Sequence, residues 1–113
     1  MDSIHSSFAL VFAKALVEGR YQDAHAMLAP ALAAGITAAS LEADYTGMIE
    51  YGDSPPLDFH VVTTLEAWRD KQPGDIGWAY VAIWGDGFSE AVAVVVTDDE
   101  GRPAIRAIEW GRP

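Results

Sequence analysis

The chain contains no cysteine. Disulfides and thiolate-ligated metals are therefore excluded, and the redox compartment is left open. Basic residues are scarce: seven lysines and arginines stand against seventeen acids, a formal charge of −10. The imbalance is even, with seven acids and two bases in residues 1–56 and ten and five in residues 57–113. With no basic arm or patch to neutralise phosphates, nucleic acid and anionic membranes are disfavoured as partners. A basic protein partner would instead be steered in by the field. The three histidines, His5, His25 and His60, fall on three different predicted elements with no paired spacing. No H-x-x-x-H, E-x-x-H or carboxylate-loop pattern occurs, so no metal and no other cofactor is expected. No G-x-S-x-G occurs either, and "GDG" at 85–87 reads as a hairpin turn rather than a phosphate loop. Long apolar runs are also lacking. The opening "MDSIHSSFALVFAKALVEG" has no basic n-region or cleavage site, and Lys14 cuts its apolar run short of a membrane span. A cytoplasmic location is the expectation.

What is there is enough for one domain. At 113 residues, folding buries roughly two-thirds of the unfolded chain's surface without staples. Phe8, Val11, Phe12, Ala15 and Leu16 repeat at helical spacing, and Gly19 supplies a left-handed C-terminal stop. "YQDAHAML" predicts a short second helix, halted before Pro30. An Ala/Gly-rich connector over 29–36 leads to Thr37, which can N-cap a third helix with Leu41, Tyr45, Met48 and Ile49 on its apolar face and Gly52 closing it. After "GDSPP" the period changes to two. "LDFHVVTTLEAWR" sets Phe59, Val61, Thr63 and Leu65 on one face and His60, Val62, Thr64, Glu66 and Trp68 on the other. Strands follow at 76–84, 88–97 and 104–110, joined by short turn-rich loops. Helices first and a four-stranded antiparallel meander second predict an α+β fold with three N-terminal helices on one face of the sheet.

The order of "FAKALVEGRYQDAHAMLAPAL", a third helix, a proline-bearing break, a long-stranded meander and a closing "IRAIEWGRP" resembles the nuclear transport factor 2-like (cystatin-like) superfamily. The likeness covers residues 1–113 as a single domain and lies in pattern and order rather than in a motif. It implies a curved, cone-like sheet wrapped around a long helix, often with a pocket between them, and frequent homodimers packed through the sheet. It says little about activity, because the fold hosts isomerases, dehydratases, hydrolases, adaptors, immunity proteins and non-catalytic binders.

The middle strands raise a question that a one-sided sheet does not answer. Trp78, Tyr80 and Trp84 share one parity of the second strand, while Ala79, Val81 and Ile83 share the other. In the third strand Phe88, Glu90, Val92, Val94 and Val96 oppose Ala91, Ala93 and Val95. Neither strand shows the polar row that a water-facing side requires. Apolar surface of that extent points to an interface, most simply a two-fold homodimer. Trp78, Tyr80, Trp84, Glu90, Val92, Val94 and Trp110 are the candidate interface residues.

For the inside of the cone the polar candidates are Tyr45, Tyr51, His60, Glu66 and Arg106, with Glu90 and Glu109 also strand-borne; Glu90 and Arg106 could pair across adjacent strands. The isomerase-like set of one tyrosine and two aspartates is not matched, since Asp44 is on a helix and Asp58, Asp86, Asp98 and Asp99 lie at strand ends or turns. No catalytic residue is assigned. The reading is a small acidic non-catalytic interaction protein, a homodimer, immunity-like or adaptor-like toward a basic partner. The alternative is an isomerase-, dehydratase- or hydrolase-type enzyme, or a binder of an apolar or aromatic small molecule, using the pocket.

Overall fold

The computed structural model describes residues 3–50 and 55–111. It is an α+β structure with four antiparallel strands in one open sheet, ordered β1-β2-β3-β4. The helices are α1 (Ile4–Val17), α2 (Tyr21–Ala26), α3 (Pro30–Ala33) and α4 (Ala38–Ile49). The strands are β1 (Pro56–Leu65), β2 (Asp75–Gly85), β3 (Phe88–Asp99) and β4 (Arg102–Trp110).

Local chemistry explains the boundaries. Ser3 caps α1 by accepting from the Ser6 amide at 3.1 Å. Gly19, at φ 76°, ends it by turning the Gly19 and Arg20 amides back onto Leu16 and Ala15. Thr37 and Ser40 cap α4 reciprocally, each side chain accepting from the other's amide. β3 and β4 are joined by Glu100 and Gly101, both at positive φ, as a tight hairpin twisted like its strands requires. Among the described residues there are four helices rather than three. The connector expected over 29–36 holds a one-turn helix because Pro30 sits at its first positions, where a fixed φ favours helix and no amide is missed. The proposed stop at Gly52 lies outside the described residues. No described helix is long and apolar enough to cross a membrane.

Helices and sheet enclose one core. α1 lies over β1 and β2, α4 contacts β3 and β4, and α2 packs on α1 and α4. Beneath them Phe12, Leu16 and Leu41 meet Val81, Ile83, Val92, Val94, Val96 and Ile105, all fully buried. The buried residues of α1 are His5, Ala9, Phe12, Ala13, Ala15 and Leu16; the expected Phe12, Ala15 and Leu16 are among them, whereas Val11 is 53% exposed. Alanines at the buried positions let the helix approach the sheet closely, so the larger Phe8 and Val11 are left at the rim.

The two sheet edges differ. On the outer side of β4, the chain leaving α2 runs parallel to Ile105, with Ala29 N–H donating to its carbonyl at 2.7 Å and Ile105 N–H donating to Met27 at 2.8 Å. β1 forms the other edge, with no strand beyond it among the described residues. Its register with β2 slips between Val61 and Thr63, a bulge that leaves Val62 unpaired. The bulge reverses the alternation expected beyond it. Phe59 and Val61 share a face with Thr64, whereas His60 shares one with Thr63 and Leu65.

Candidate functional site: the helix-free face of the sheet

Residues directly opposed across antiparallel strands share a face. Trp78, Tyr80, Ala82 and Trp84 oppose Val95, Ala93, Ala91 and Ser89 on β3, and Leu65, Thr63, His60 and Asp58 on β1. Glu109 and Ala107 of β4 join the same surface opposite Ala93 and Val95. The Trp78 and Tyr80 rings are parallel to within 2° at 6.0 Å, and His60 meets Trp84 edge-on at 4.9 Å.

Among the described residues the core that the helices share with the sheet lies on the other side, yet Ala91, Ala93 and Val95 are buried, at 2%, 1% and 7% exposure. The small side chains of β3 sit low, and the large aromatic ones of β2 stand beside them, about 5 Å away across the ladder. The aromatic row is therefore the cover, and is itself left half-buried. Among the described residues the most exposed large apolar groups are Leu57 (62%), Val62 (52%) and Leu65 (41%) on β1, Leu65 at the edge of this face, and Ile4 and Val11 on α1.

One end of the face is closed by an ion pair. Arg106 donates from Nε and Nη2 to both oxygens of Asp75 at 2.8 and 2.7 Å, and the Gln72 amide donates at 2.9 Å. The Asp75 side chain is fully buried. Two bulges make this reach possible. Ile76 is the extra residue in β2, opposite the Val96–Thr97 step of β3, and Arg106 the extra residue in β4, opposite the adjoining Val95–Val96 step. The pairing of Arg106 with Glu90 is thus replaced by Asp75. Sequence reasoning missed Asp75 because it reads as a turn residue; its partner is fixed only by the bulged register.

The remaining sequence-chosen residues do not converge. Val92 and Val94 belong to the core beneath the helices, not to the open face, because their partners Val81 and Ala79 are on the helix side. Trp110 opposes Val92 and packs against the same core. Glu90 opposes Ile83 on that side too, near Gly111. His60 and Glu66 are exposed, and the Glu66 carbonyl accepts from Lys71 Nζ. Tyr51 lies outside the described residues. Among the described residues no cluster of three or more potential ligands could hold a metal. A shallow groove of about 370 Å³ runs along α1 past Ser3, Ile4, Ser7, Phe8 and Val11, and another of about 230 Å³ lies between Phe8, Met27 and Arg102.

Tyr45 stands apart. It is 2% exposed, its ring lies 6.3 Å from that of Tyr21, and its hydroxyl has no hydrogen-bond partner among the described residues. Burial, then the nearby Tyr21, pushes its ionisation from 10.0 up to about 12. The native state keeps a proton that the unfolded chain releases, so stability falls as pH rises from about 10 to about 12. Spectrophotometric titration of the native protein is expected to show one late tyrosine, absent in Tyr45→Phe. That variant is expected to match the parent or gain up to ~1 kcal/mol in urea melts, since an unsatisfied hydroxyl is removed. A loss beyond ~1 kcal/mol would mean the hydroxyl has a partner in solution.

Comparison with protein-family models, curated proteins and solved structures returned no match for this chain.

Proposed function

We propose that the chain is a non-catalytic interaction protein of the nuclear transport factor 2-like type that associates with a second copy of itself through its sheet. The carrying observation is the distribution of apolar surface. Half-buried Trp78, Tyr80 and Trp84 form a helix-free face that runs into the exposed Val62 and Leu65 of β1. Four strands at ~4.8 Å spacing and ten residues at ~3.3 Å each span roughly 600 Å². That is the order of area one partner gives to a stable interface. The polar candidates support the same reading, because Tyr45, His60, Glu66 and Arg106 lie in four separate environments. The charge of −10 would speed encounter with a basic protein as a further partner.

Sedimentation velocity over a dilution series tests self-association. The expected species has the mass of two 12.2 kDa chains and dissociates on dilution. A single-chain mass at every concentration would end the reading.

The second reading, a pocket for an apolar or aromatic small molecule, is favoured by one observation only, the buried hydroxyl of Tyr45 with no partner among the described residues. A ligand acceptor there would supply the missing bond. Thermal-shift screening of aromatic metabolites should then give hits that Tyr45→Phe abolishes. A flat response across the library counts against it.

A further inference from the structure

The face bearing Trp78, Tyr80 and Trp84 is aromatic and acidic at once. Asp58 is registered opposite Trp84, and Glu109 opposite Ala93, the partner of Tyr80. Both carboxylates are exposed, and neither makes an ion pair among the described residues. No lysine or arginine is registered against the row. Arg106, at the end of the face, already donates to both oxygens of Asp75, so that pair adds no net charge. Aromatic rings present a negative π face, and carboxylates beside them add a second attraction for a cation. The chain holds one such contact of its own: Lys71 Nζ lies 5.6 Å from the centroid of the Trp68 ring, in the loop between β1 and β2. The spacing suits a polypeptide better than a free ion. Alternate side chains of an extended segment stand about 6.6 Å apart, close to the 6.0 Å between the Trp78 and Tyr80 rings.

We infer that this face docks an extended, arginine-bearing segment of a basic partner protein, its guanidinium groups over Trp78, Tyr80 and Trp84 and paired with Asp58 and Glu109. The inference rests on the interaction-protein reading above and gives its basic partner a surface and a chemistry. Arginine suits the face better than lysine, because a planar, weakly hydrated guanidinium can stack on a ring and bond a carboxylate together. A second copy brings to this face the same two acids and no cation to meet them. The two occupants compete for one surface, and charge favours the cationic segment, which the field of −10 also draws in.

Fluorescence anisotropy of a labelled peptide of alternating arginine and threonine tests this on the full chain at low ionic strength. Its citrulline counterpart is the uncharged isostere, expected to bind about tenfold more weakly. Asp58→Asn/Glu109→Gln and Trp84→Leu are each expected to raise the dissociation constant about fivefold, with circular dichroism unchanged. Asparagine keeps the acceptor that Asp58 offers the Phe59 amide. Should Trp84→Leu lose its fold, the exposed acid pair still decides. Glu42→Gln/Asp44→Asn removes the same charge from exposed positions on α4. It should change binding by less than about twofold, since distant surface charges are screened. If the α4 pair weakens binding as much as the face pair, the attraction is to net charge alone and the inference is overturned. Equal binding of the citrulline peptide, or no binding of the arginine peptide, overturns it as well. Sedimentation keeps the two readings apart. A chain that dimerises without binding the peptide loses only this inference, and one that binds it but never dimerises loses only self-association.

Discussion

Arg106→Met is expected to destabilise the fold by about 3 kcal/mol at neutral pH, the lower end of the range for breaking a buried pair, because Arg106 is itself 27% exposed. The loss comes from the partner left behind. Asp75 has a fully buried side chain, and without the guanidinium its charge keeps only the Gln72 amide and the Thr97 side chain. In the parent, burial alone would push the Asp75 carboxyl up. Hydrogen bonds from Arg106, the Gln72 amide and Thr97, together with the Arg106 charge, outweigh burial and hold it below its ordinary 3.8. The sign of the pH dependence follows. The folded value lies below the unfolded one of about 3.9, so the pair's contribution is complete above about pH 4 and is lost as pH falls through the folded value. In Arg106→Met, burial dominates and Asp75 takes its proton at higher pH. The gap between parent and variant is therefore expected to be widest near neutrality and to narrow in acid. Urea melts from pH 3 to 8 measure both curves. A gap that is constant with pH would mean that Arg106 acts through packing alone. The double variant Asp75→Leu/Arg106→Met, which leaves no stranded charge, should recover most of the loss.

Gly77→Ala should cost a comparable amount, about 3 kcal/mol, the upper end for overpacking a filled site. A Cβ built on Gly77 would stand 2.3 Å from Cγ of His5, whose ring is 3% exposed beneath the start of α1. The ring cannot retreat without lifting the helix end that Ser3 caps. His5→Ala makes room but leaves a void, so it is destabilising on its own. Combined with Gly77→Ala, the void and the added methyl offset each other. The double variant should then be more stable than the sum of the two single losses implies, by more than ~1 kcal/mol of coupling. Additive losses would place the steric conflict somewhere other than the His5 ring.

Both effects depend on contacts that no periodicity reports, whereas much of the frame is local and readable. Gly19, the Thr37 cap and the Asp86–Gly87 turn each act within a few residues. The strict alternation of β2 and β3 also survives, with Ala79, Val81 and Ile83 facing the helices. Reading failed where one residue changed a phase or a small side chain did a large one's work. Val62 shifts the rest of β1 by one position, so Thr64, not Thr63, shares a face with Phe59 and Val61. Ala9 and Ala13 are buried in α1 in place of Phe8 and Val11 because closeness to the sheet matters more there than side-chain size. The interface residues chosen from β3 and β4 mixed parities: Val92, Val94 and Trp110 have the right chemistry for an interface but face the helices. Asp75 and Arg106 meet across β3 only because two bulges fall at adjacent steps, on either side of Val96. The exposure of Leu57, Val62 and Leu65 was invisible as well, since strand order alone decides which strand is an edge.

The bond between the Met27–Ala29 segment and Ile105 has a consequence for synthesis. It joins a stretch that precedes the sheet in the chain to the sheet's last strand, so a nascent chain cannot complete the sheet until β4 has emerged from the ribosome. Before that moment, Val92, Val94 and Val96 sit on a strand whose outer amides and carbonyls have no neighbour. Stalled or truncated chains ending before Arg102 would carry that sticky valine ladder permanently, and quality-control machinery would meet the protein as an aggregation hazard.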